Sequence, residues 1–309
     1  MKGMKQPLIL EIKGNSLDDG PGIRSVVFFK GCPLSCVWCH NPESKKTVTE
    51  ISFSARDCIG CETCLKVCKK QALSKSNPHY IDRDKCDLCF ECVEVCPAKA
   101  LTRVGKEMTV DEIINRVASD KPFYNVSGGG VTLSGGEATL FPEFVGELLK
   151  RLKENEINTL VETCGQFNFE DFKKHILPFT DMIYYDLKLF DSRLHKKYCG
   201  TTNENILENF EKLFRLSQKG DFILLPRTPL IPNITDTDEN LISIADFLKN
   251  LGVKRSELLS YNPTWFEKNQ KLGILVDEEI SETEKWQAQE KIAHCEKIYT
   301  DRGIKVRQE

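Results

Sequence analysis

Residues 31–43 read GCPLSCVWCHNPE, and their three cysteines have the spacing Cys32-x3-Cys36-x2-Cys39. No fourth cysteine stands at ligand spacing from this cysteine trio. Three thiolates hold three irons of a four-iron cubane and leave the fourth iron with an open position, which lets a metal site bind a reactant. The spacing therefore favours an iron–sulfur centre that takes part in chemistry.

A structural zinc site is the alternative for the cysteine trio, with His40 or His79 as the fourth ligand. Structural zinc sites usually pair their cysteines as two C-x2-C elements, and the spacing C-x3-C-x2-C fits that pattern poorly. The iron–sulfur interpretation is therefore preferred.

Eight further cysteines form two similar blocks, and every cysteine of the first block recurs 28 positions later. The blocks are Cys58-x2-Cys61-x2-Cys64-x3-Cys68 and Cys86-x2-Cys89-x2-Cys92-x3-Cys96-Pro97. This is the bacterial two-cluster ferredoxin pattern, in which the fourth cysteine of each block binds the other block's cluster. It predicts one [4Fe–4S] cluster on Cys58, Cys61, Cys64 and Cys96, and a second on Cys86, Cys89, Cys92 and Cys68. Lys69 stands where the pattern has proline, and a paired zinc module is the less favoured alternative.

The composition excludes several classes of protein. The chain has 309 residues, 40% of them hydrophobic, which suffices for one large domain with a substantial core. A net charge of −3 argues against nucleic acid or an anionic membrane as a partner. No apolar run approaches the roughly 18 residues of a membrane-spanning helix, and the apolar stretch near the N terminus is short for a secretory signal. We therefore expect a cytoplasmic protein. The three cysteines outside the groups above, Cys164, Cys199 and Cys295, are expected to be small buried hydrophobes.

Outside the cysteine-rich zone, short apolar runs alternate with longer amphipathic patterns. The predicted strands are 23–30, 130–134, 158–163, 182–187, 222–227 and 257–261. The predicted helices are 110–119, 142–155, 169–177, 204–218, 237–251 and 282–301. Such alternation indicates parallel strands with helical crossovers. The sequence therefore predicts an α/β chain in which residues 1–50 and 105–309 form a partial (β/α)6 TIM-like barrel and residues 51–104 form an inserted ferredoxin-like domain with two [4Fe–4S] clusters.

Polar or glycine-rich clusters follow most of the predicted strands. They are SGGE at 134–137, ETCG at 162–165, DLK at 186–188, RTP at 227–229 and YNP at 261–263. In a parallel barrel the loops at the carboxyl ends of the strands build the active site, so we expect these clusters to converge on one mouth. A lysine beside an aspartate there suits a ligand that carries both a carboxylate and a cationic centre.

The cysteine trio, with Trp38 directly before its last member, resembles the signature of the radical S-adenosylmethionine (SAM) superfamily. The stretches DGPGIR at 19–24, CHNPE at 39–43 and SGGE at 134–137 narrow the resemblance to the activating enzymes of glycyl radical enzymes. The resemblance covers nearly the whole chain. Because the pyruvate formate-lyase activating enzyme lacks the two-cluster insert, it implies a different glycyl radical enzyme as the partner.

The resemblance implies an anaerobic oxidoreductase with three [4Fe–4S] clusters, held by the eleven cysteines from Cys32 to Cys96, and with SAM as cofactor. The open-iron cluster donates one electron to the sulfonium of SAM, and the 5′-deoxyadenosyl radical so formed abstracts hydrogen from a glycine Cα in the partner's C-terminal glycine loop. A flavodoxin or ferredoxin is the implied electron donor. Two alternatives remain open: a radical SAM enzyme that acts on a small molecule or another protein residue, and a non-catalytic electron carrier with three fully protein-ligated clusters.

The resemblance also assigns roles to single residues. It implies Asp19, which receives the partner's glycine loop, and Lys188 as catalytic residues. The residues implied to bind SAM are Trp38, Cys39, His40, Gly135, Gly136, Glu137, Asp186, Leu187, Lys188, Arg227 and Asn262. A monovalent cation site is implied at Glu162, Thr163, Tyr184 and Asp186, with Glu162 in place of a family Asp. Asn262 replaces a family His and cannot change its charge near neutral pH.

Overall fold

The computed structural model describes residues 6–276 and 286–307. The strands are β1 (Leu8–Ser16), β2 (Arg24–Lys30), β3 (Glu50–Phe53), β4 (Leu101–Val104), β5 (Lys106–Glu107), β6 (Gly130–Gly135), β7 (Asn158–Thr163), β8 (Met182–Asp186), β9 (Ile223–Pro229), β10 (Arg255–Leu259) and β11 (Lys305–Arg307). The helices are α1 (Thr63–Val67), α2 (Glu91–Glu94), α3 (Val110–Ala118), α4 (Lys121–Ser127), α5 (Pro142–Glu154), α6 (Phe169–Asp171), α7 (Ser192–Cys199), α8 (Glu204–Ser217), α9 (Asp238–Leu251), α10 (Trp265–Leu272) and α11 (Gln289–Thr300).

A nine-stranded mixed sheet is the frame of the molecule. Its order is β11-β10-β9-β8-β7-β6-β2-β1-β5, with β5 and β11 at its edges. The strands from β2 through β6 to β11 run parallel, whereas β1 pairs antiparallel with β2 and with β5. All six predicted strands are present and parallel, so the α/β class is confirmed. The antiparallel strand β1 and the short edge strand β5 are additions to it.

The parallel strands send alternate side chains to opposite faces of the sheet. Val27, Phe29, Leu133, Val161 and Tyr185 lie in the apolar core that the helices cover. Their strand neighbours Phe28, Ser134, Glu162 and Asp186 line a cavity on the other face. Successive residues of a strand must point to opposite faces, so the strand that anchors each core residue also aims its neighbour into the cavity.

Two helix predictions need correction. The predicted helix at 169–177 is α-helical only over Phe169–Asp171, then continues as a π turn at Phe172–Ile176 and a 3-10 turn at Leu177–Phe179. Pro178 lies in that last turn and cannot donate the backbone hydrogen bond that an α-helix needs. The helix predicted at 282–301 is α11; residues 282–285 of the prediction lie outside the described residues, and residues 286–288 are not helical.

The elements that were not predicted include the strand β1 and the helices α4, α7 and α10. In β1, half-buried and exposed residues alternate from Leu10 to Asn15, and each of the three helices has only seven or eight residues. Such short helices present too few turns for a clear apolar period. Among the described residues, no helix combines the length and the apolar character that crossing a membrane requires.

Residues 51–104, which we call the insert, lie outside the nine-stranded sheet, and the strands β3 and β4 at its two ends pair as an antiparallel ribbon. Its backbone repeats with the same offset of 28 residues as its cysteines. Left-handed conformations recur at the pairs Gly60 and Leu88 (φ 70° and 58°), Glu62 and Phe90 (61° and 62°), and Gln71 and Lys99 (49° and 53°). A non-glycine residue adopts a positive φ only where its surroundings impose it, so both halves have the same imposed loop geometry.

A buried ion pair joins the end of β2 to the start of β3. The Lys30 side chain, at the end of β2, is fully buried and donates from Nζ to Glu50 Oε2 at 2.7 Å and to the Glu43 carbonyl at 2.6 Å. Burial opposes ionisation of Glu50, but the hydrogen bonds from Lys30 and Lys46 hold the pKa of its carboxyl below the usual range. The start of the insert is thereby fixed beside the loop that carries the cysteine trio.

Candidate active site and thiol-lined cavities

A cavity of about 350 Å³ opens at the carboxyl ends of the parallel strands, and we call it the barrel cavity. Its volume is in the range of sites that bind small molecules and cofactors. The strands β2, β6, β7, β8, β9 and β10, or the residues just after them, contribute Phe28, Ser134, Gly135, Gly136, Glu162, Thr163, Asp186, Lys188, Arg227, Pro229, Leu259 and Ser260. The predicted convergence of strand-end clusters on one mouth is therefore observed.

All three thiols of the cysteine trio line the barrel cavity. The loop that carries them is fixed from both sides by backbone hydrogen bonds. Ser35 N donates to the Cys199 carbonyl at 2.9 Å, and Val37 N donates to the Tyr198 carbonyl at 3.0 Å. Glu137 N donates to the Gly31 carbonyl at 2.7 Å and joins the trio loop to the glycine-rich loop after β6.

Cys36 and Cys39 differ in acidity. A hydrogen bond from Cys199, opposed by burial and supported by the charge of Lys188, lowers the pKa of Cys36 to about 7. Burial raises the pKa of Cys39 to about 12.

Cys164, Cys199 and Cys295 are buried as predicted, at 7%, 0% and 0% exposure. The sequence analysis did not anticipate that Cys164 lines the barrel cavity or that Cys199 lies against Cys36.

Four charged side chains form a buried network on the wall of the barrel cavity. Arg227 donates from Nη1 to Glu162 Oε1 at 2.6 Å and from Nε to Asp186 Oδ1 at 3.0 Å. Lys188 Nζ lies 2.8 Å from Asp186 Oδ2, and the Ser134 hydroxyl donates to Glu162 Oε2 at 2.5 Å. Burial opposes ionisation of Asp186, yet Lys188 and Arg227 hold the pKa of its carboxyl below the usual range. Asp186 is therefore ionised between two cations.

Most residues implied to bind SAM lie on the barrel cavity. They are Trp38, Cys39, His40, Gly135, Gly136, Asp186, Lys188, Arg227 and Asn262. Burial, with the charges of Lys268 and Lys188, lowers the pKa of His40 to about 4, so its imidazole is neutral near neutral pH. Asn262 uses its Oδ1 to accept from Thr264 N at 3.0 Å, which holds the loop after β10.

Two of the residues implied to bind SAM, Glu137 and Leu187, do not line the barrel cavity. The Glu137 carboxylate is 1% exposed and accepts from the Thr163 hydroxyl at 2.9 Å and from Cys164 N at 2.7 Å. Leu187 is buried and donates its backbone N–H to the Arg227 carbonyl at 2.8 Å. Both residues therefore hold neighbouring strand ends together behind the cavity wall.

The four residues of the implied cation site are not all available to a cation. Thr163, Glu162 and Asp186 line the barrel cavity, whereas Tyr184 is buried with its ring 5.0 Å from the Arg227 guanidinium carbon. The Arg227 guanidinium binds both carboxylates and so takes the position between them. This donor set does not fit a resident monovalent cation.

Asp19 and its neighbour Asp18 line the barrel cavity, and the sequence analysis had not singled out Asp18. Arg24, fully buried at the start of β2, fixes their loop by donating to Thr132 Oγ1 at 2.7 Å and to the Pro21 carbonyl at 3.3 Å. The Thr132 hydroxyl in turn donates to the Asp19 carbonyl at 2.7 Å. Burial lowers the pKa of Arg24 to about 10, which still leaves it charged. Arg24 is the last residue of the DGPGIR motif, but the motif alone did not show that Arg24 anchors the loop through Thr132.

The insert contains two further thiol-lined cavities. The Cys68 cavity, of about 160 Å³, is lined by Cys68, Cys86, Cys89 and Cys92. The Cys58 cavity, of about 20 Å³, is lined by Cys58, Cys61, Cys64 and Cys96. These are the same two sets of four that the crossed ferredoxin pattern assigns. Among residues 6–276 and 286–307, no three His, Cys, Asp or Glu side chains converge on a position for a single metal ion. The thiols instead line three cavities: the barrel cavity, the Cys68 cavity and the Cys58 cavity.

Comparisons with known proteins agree with this geometry. The family model of the radical SAM superfamily matches residues 26–248. The isethionate sulfite-lyase activating enzyme of Oleidesulfovibrio alaskensis is 37% identical, over 88% of this chain and 91% of that protein. The indoleacetate decarboxylase activating enzyme of Tractidigestivibacter scatoligenes is 36% identical, over 88% of each.

Among solved structures, a radical SAM methyltransferase from Sphaerobacter thermophilus aligns over 98% of this chain and 76% of that one, with a TM-score of 0.54 and 14% identity. At that identity the likeness concerns the fold alone. The two activating enzymes match this chain along nearly their whole length, but their names refer to different metabolites.

Proposed function

The chain belongs to the radical SAM superfamily and, within it, to the activating enzymes of glycyl radical enzymes, and from that premise we propose how its residues share the reaction. A bound [4Fe–4S] cluster in such an enzyme supplies one electron to the sulfonium of SAM, which gives methionine and a 5′-deoxyadenosyl radical that takes a hydrogen atom from a glycine Cα of the partner. The observation that carries the proposal is the barrel cavity, where the cysteine trio meets the charged network.

Cys32, Cys36 and Cys39 would hold the cluster at this site. Their thiols are the soft ligands that iron–sulfur clusters require, and all three face one cavity. With only three thiolates for four irons, one iron is left for an exogenous ligand. The backbone hydrogen bonds from Ser35 and Val37 fix the loop, so the three thiols would hold a cluster at a constant place relative to the strand ends.

Lys188, Asp186 and Arg227 would orient SAM opposite the cysteine trio. A carboxylate on the ligand matches the two cations, and a cationic sulfonium matches Asp186. Gly135 and Gly136 form the adjoining wall, where a side chain is excluded because a Cβ on Gly136 would lie 2.1 Å from the Gly31 carbonyl oxygen. Trp38, His40 and Asn262 complete the lining around the nucleotide. Glu137 and Leu187 act as positioning residues.

In this proposal the reaction does not require a monovalent cation. Arg227 already supplies a positive charge between Glu162 and Asp186, at 2.6 and 3.0 Å. Inserting another cation would place it against the guanidinium in a buried site, where like charges repel strongly.

Asp19 would meet the partner's glycine loop. The loop that carries it borders the same cavity as the cysteine trio and is anchored to the sheet by Arg24. Glycine has no side chain, so a glycine loop is a segment that can enter a narrow cavity. The partner's Cα could thereby approach the nucleotide while water is excluded.

The insert would relay electrons between a donor protein and the barrel cavity. Each of its two cavities presents four thiols, enough for one complete [4Fe–4S] cluster, which brings the total to three clusters. The donor is a flavodoxin or ferredoxin of the same compartment, which is the reducing cytoplasm that free thiols require.

The experiment that tests the activity is anaerobic reconstitution with iron and sulfide, followed by dithionite and SAM. We expect about twelve irons per chain, on the count of four per cluster, and formation of 5′-deoxyadenosine and methionine. Absence of 5′-deoxyadenosine from fully loaded protein, or a cysteine trio that binds zinc instead of iron, would contradict the proposal.

A single substitution separates SAM cleavage from hydrogen abstraction. We expect Asp19→Ala to leave dithionite-driven 5′-deoxyadenosine formation within about twofold of wild type, because Asp19 is not part of the charged network. The glycyl radical on the partner, counted by electron paramagnetic resonance, should fall several times more than SAM cleavage does. Exposed Asp221→Ala serves as the matched control. Equal loss of both activities would refute the separation.

A further inference from the structure

The helix α4 presents an uncharged face to solvent. Its exposed residues, which we call the α4 face, are Pro122, Phe123, Asn125 and Val126. The next helix along the chain, α5, differs, because all of its exposed residues are charged: Glu143, Lys150, Lys153 and Glu154. A surface helix normally turns charged and polar side chains to solvent and apolar ones to the core. The α4 face therefore departs from the ordinary pattern of a solvated helix.

Large apolar side chains are exposed on the α4 face and on the turn between β1 and β2. Val126 is 91% exposed and Phe123 is 50% exposed, and their spacing of three positions places them on the same side of the helix. Leu17 is 69% exposed and belongs to the turn of residues 17–23, which contains Asp19 and which we call the Asp19 turn. Single exposed apolar side chains are common, but several on adjoining segments mark an interaction surface.

The two segments adjoin each other at one end of the sheet. At the end of α4, the Ser127 hydroxyl oxygen accepts a hydrogen bond from Ile23 N at 2.8 Å. Directly before α4, Asp120 Oδ2 accepts from the Ser25 hydroxyl at 2.6 Å. The strands β2 and β6 are parallel neighbours whose first residues pair with each other. The Asp19 turn before β2 and the helix α4 before β6 therefore lie side by side.

The position of this end decides which protein can cover it. The Asp19 turn precedes β2 and the cysteine trio follows β2, so the two reach the barrel cavity from opposite ends of that strand. A partner loop that meets Asp19 therefore arrives at the end where α4 lies. A standard protein interface buries about 800 Å² on each side, which equals a disc of about 16 Å radius. A helix of seven residues is only about 10 Å long, so α4 falls within that footprint.

We propose that the α4 face, together with Leu17, is a docking surface for the glycyl radical enzyme that this chain activates, and that it contacts an apolar, uncharged surface beside the partner's glycine loop. The inference rests on the proposed function, in which Asp19 meets that loop. Docking removes the exposed side chains of Phe123 and Val126 from water, which favours association. The α4 face thereby contributes to the affinity for the partner and takes no part in the cleavage of SAM.

The test compares Val126→Lys with the wild-type chain after anaerobic reconstitution. The probe is a purified glycyl radical enzyme on which the wild-type chain forms a glycyl radical, counted by electron paramagnetic resonance. A lysine near the C terminus of a helix suits the helix dipole, but its charge would lose water at an apolar interface. We expect the KM for the partner to rise about tenfold. The kcat at saturating partner, and 5′-deoxyadenosine formation without partner, should stay within about twofold.

Three matched variants keep the result interpretable. Phe123→Lys places the same charge on the same side of α4 and should also raise the KM. Val126→Leu keeps an apolar side chain at the surface and should leave the KM within about twofold. Leu194→Lys adds the charge at a 43% exposed apolar position of α7, which follows β8 at the carboxyl end of the sheet, and should not change the KM.

The outcomes separate the inference from the proposed function. An unchanged KM in both lysine variants of α4, or an equal change in Leu194→Lys, would overturn the docking surface and leave the proposed function standing. A wild-type dimer that Val126→Lys dissociates, measured by analytical ultracentrifugation, would show that a second copy covers the α4 face instead.

A wild-type chain that cleaves SAM but forms no radical on any glycyl radical enzyme would contradict the proposed function, and the inference with it. If the melting temperature shows that a lysine variant is unfolded, the polar and uncharged Val126→Gln decides: a KM equal to that of the wild-type chain would overturn the docking surface.

Discussion

The insert and the barrel cavity both gather thiols, but the chain builds them in different ways. All eight thiols of the insert come from the 39 residues between Cys58 and Cys96, and each cavity is lined by ligands from both repeats. The barrel cavity takes its residues from Asp18 to Asn262, with two or three from most strand ends. A local repeat fixes its ligand set by spacing, whereas a strand-end site depends on which strands become neighbours.

The difference extends to the charged groups. The insert cavities are lined mainly by thiols and apolar side chains, and the charged residues that line them lie at exposed positions, as Lys69, Lys70, Asp87 and Glu62 do. The barrel cavity instead has a buried network in which Arg227, Lys188, Glu162 and Asp186 neutralise one another. The insert is thus suited to hold clusters, and the barrel cavity to hold a cluster together with a charged small molecule.

The largest expected effect comes from removing the cysteine trio. The variant with Cys32, Cys36 and Cys39 changed to Ala should lose all detectable 5′-deoxyadenosine formation, while its iron content falls by about four of about twelve. The insert clusters should remain, because no ligand is shared between the two regions. Iron analysis and product chromatography measure both quantities. Cys295→Ala, a buried cysteine outside both regions, is the control. Formation of 5′-deoxyadenosine by the triple variant would show that the cysteine trio is not the site of SAM cleavage.

A smaller effect is expected from Arg227→Met, which leaves Glu162 and Asp186 without their shared cation. Removing one partner of a buried ion pair costs about 3–5 kcal/mol, so we expect a lower melting temperature and weaker SAM binding. Arg227→Lys should lose less. Exposed Arg215→Met, which breaks an i,i+4 pair with Glu211, should cost about 0.5 kcal/mol or less. Equal melting shifts for Arg227→Met and Arg215→Met would show that the network is not a structural unit.

If the insert relays electrons to the barrel cavity, Cys96→Ala should slow SAM cleavage only when a reducing protein supplies the electron. Loss of one ligand from the Cys58 cavity should slow cleavage driven by a reducing protein such as flavodoxin by about tenfold, equivalent to about 1.4 kcal/mol of activation energy. Dithionite is small enough to reduce the barrel cluster directly, so dithionite-driven cleavage should be nearly unchanged. If both reductants are affected alike, the insert is structural and not a relay.

The smallest expected effect concerns monovalent cations. Because Arg227 lies between Glu162 and Asp186, replacing potassium and sodium with choline at constant ionic strength should change the dissociation constant of SAM by less than about twofold. Equilibrium binding measures this. The same replacement in Arg227→Met should have a larger effect, since the two carboxylates are then free to take up a small cation. A tenfold loss of SAM binding by the wild-type protein in choline would show that a cation is required.

Much of the fold could be predicted because its signals are local. The six parallel strands are apolar runs bounded by turn residues, and each was found within about two residues of its predicted position. The strand β1 was missed because an N-terminal apolar run does not reveal that it will pair antiparallel with β2. The helix predicted at 169–177 was wrong in type after Asp171, since backbone hydrogen bonding there is set by packing.

The residues that line the barrel cavity could largely be predicted from the sequence, but the contacts between them could not. Asp186, Lys188 and Arg227 were identified one by one from strand ends and family resemblance, yet nothing in their spacing shows that Arg227 binds Glu162. Cys199 is 163 positions from Cys36 along the chain, and Arg24 is 108 positions from Thr132. Contacts of that separation follow from strand order and register, which single-sequence patterns do not encode.

The cysteine spacing by itself determined how the thiols group, as one set of three and two sets of four, because the members of a set lie mostly within a few residues of each other along the chain. Tertiary structure alone decided that Arg227 would bind the two carboxylates and that Glu137 and Leu187 would lie behind the cavity wall. These features arise when distant strands and the insert pack together, and the charge each group experiences depends on neighbours brought in by folding.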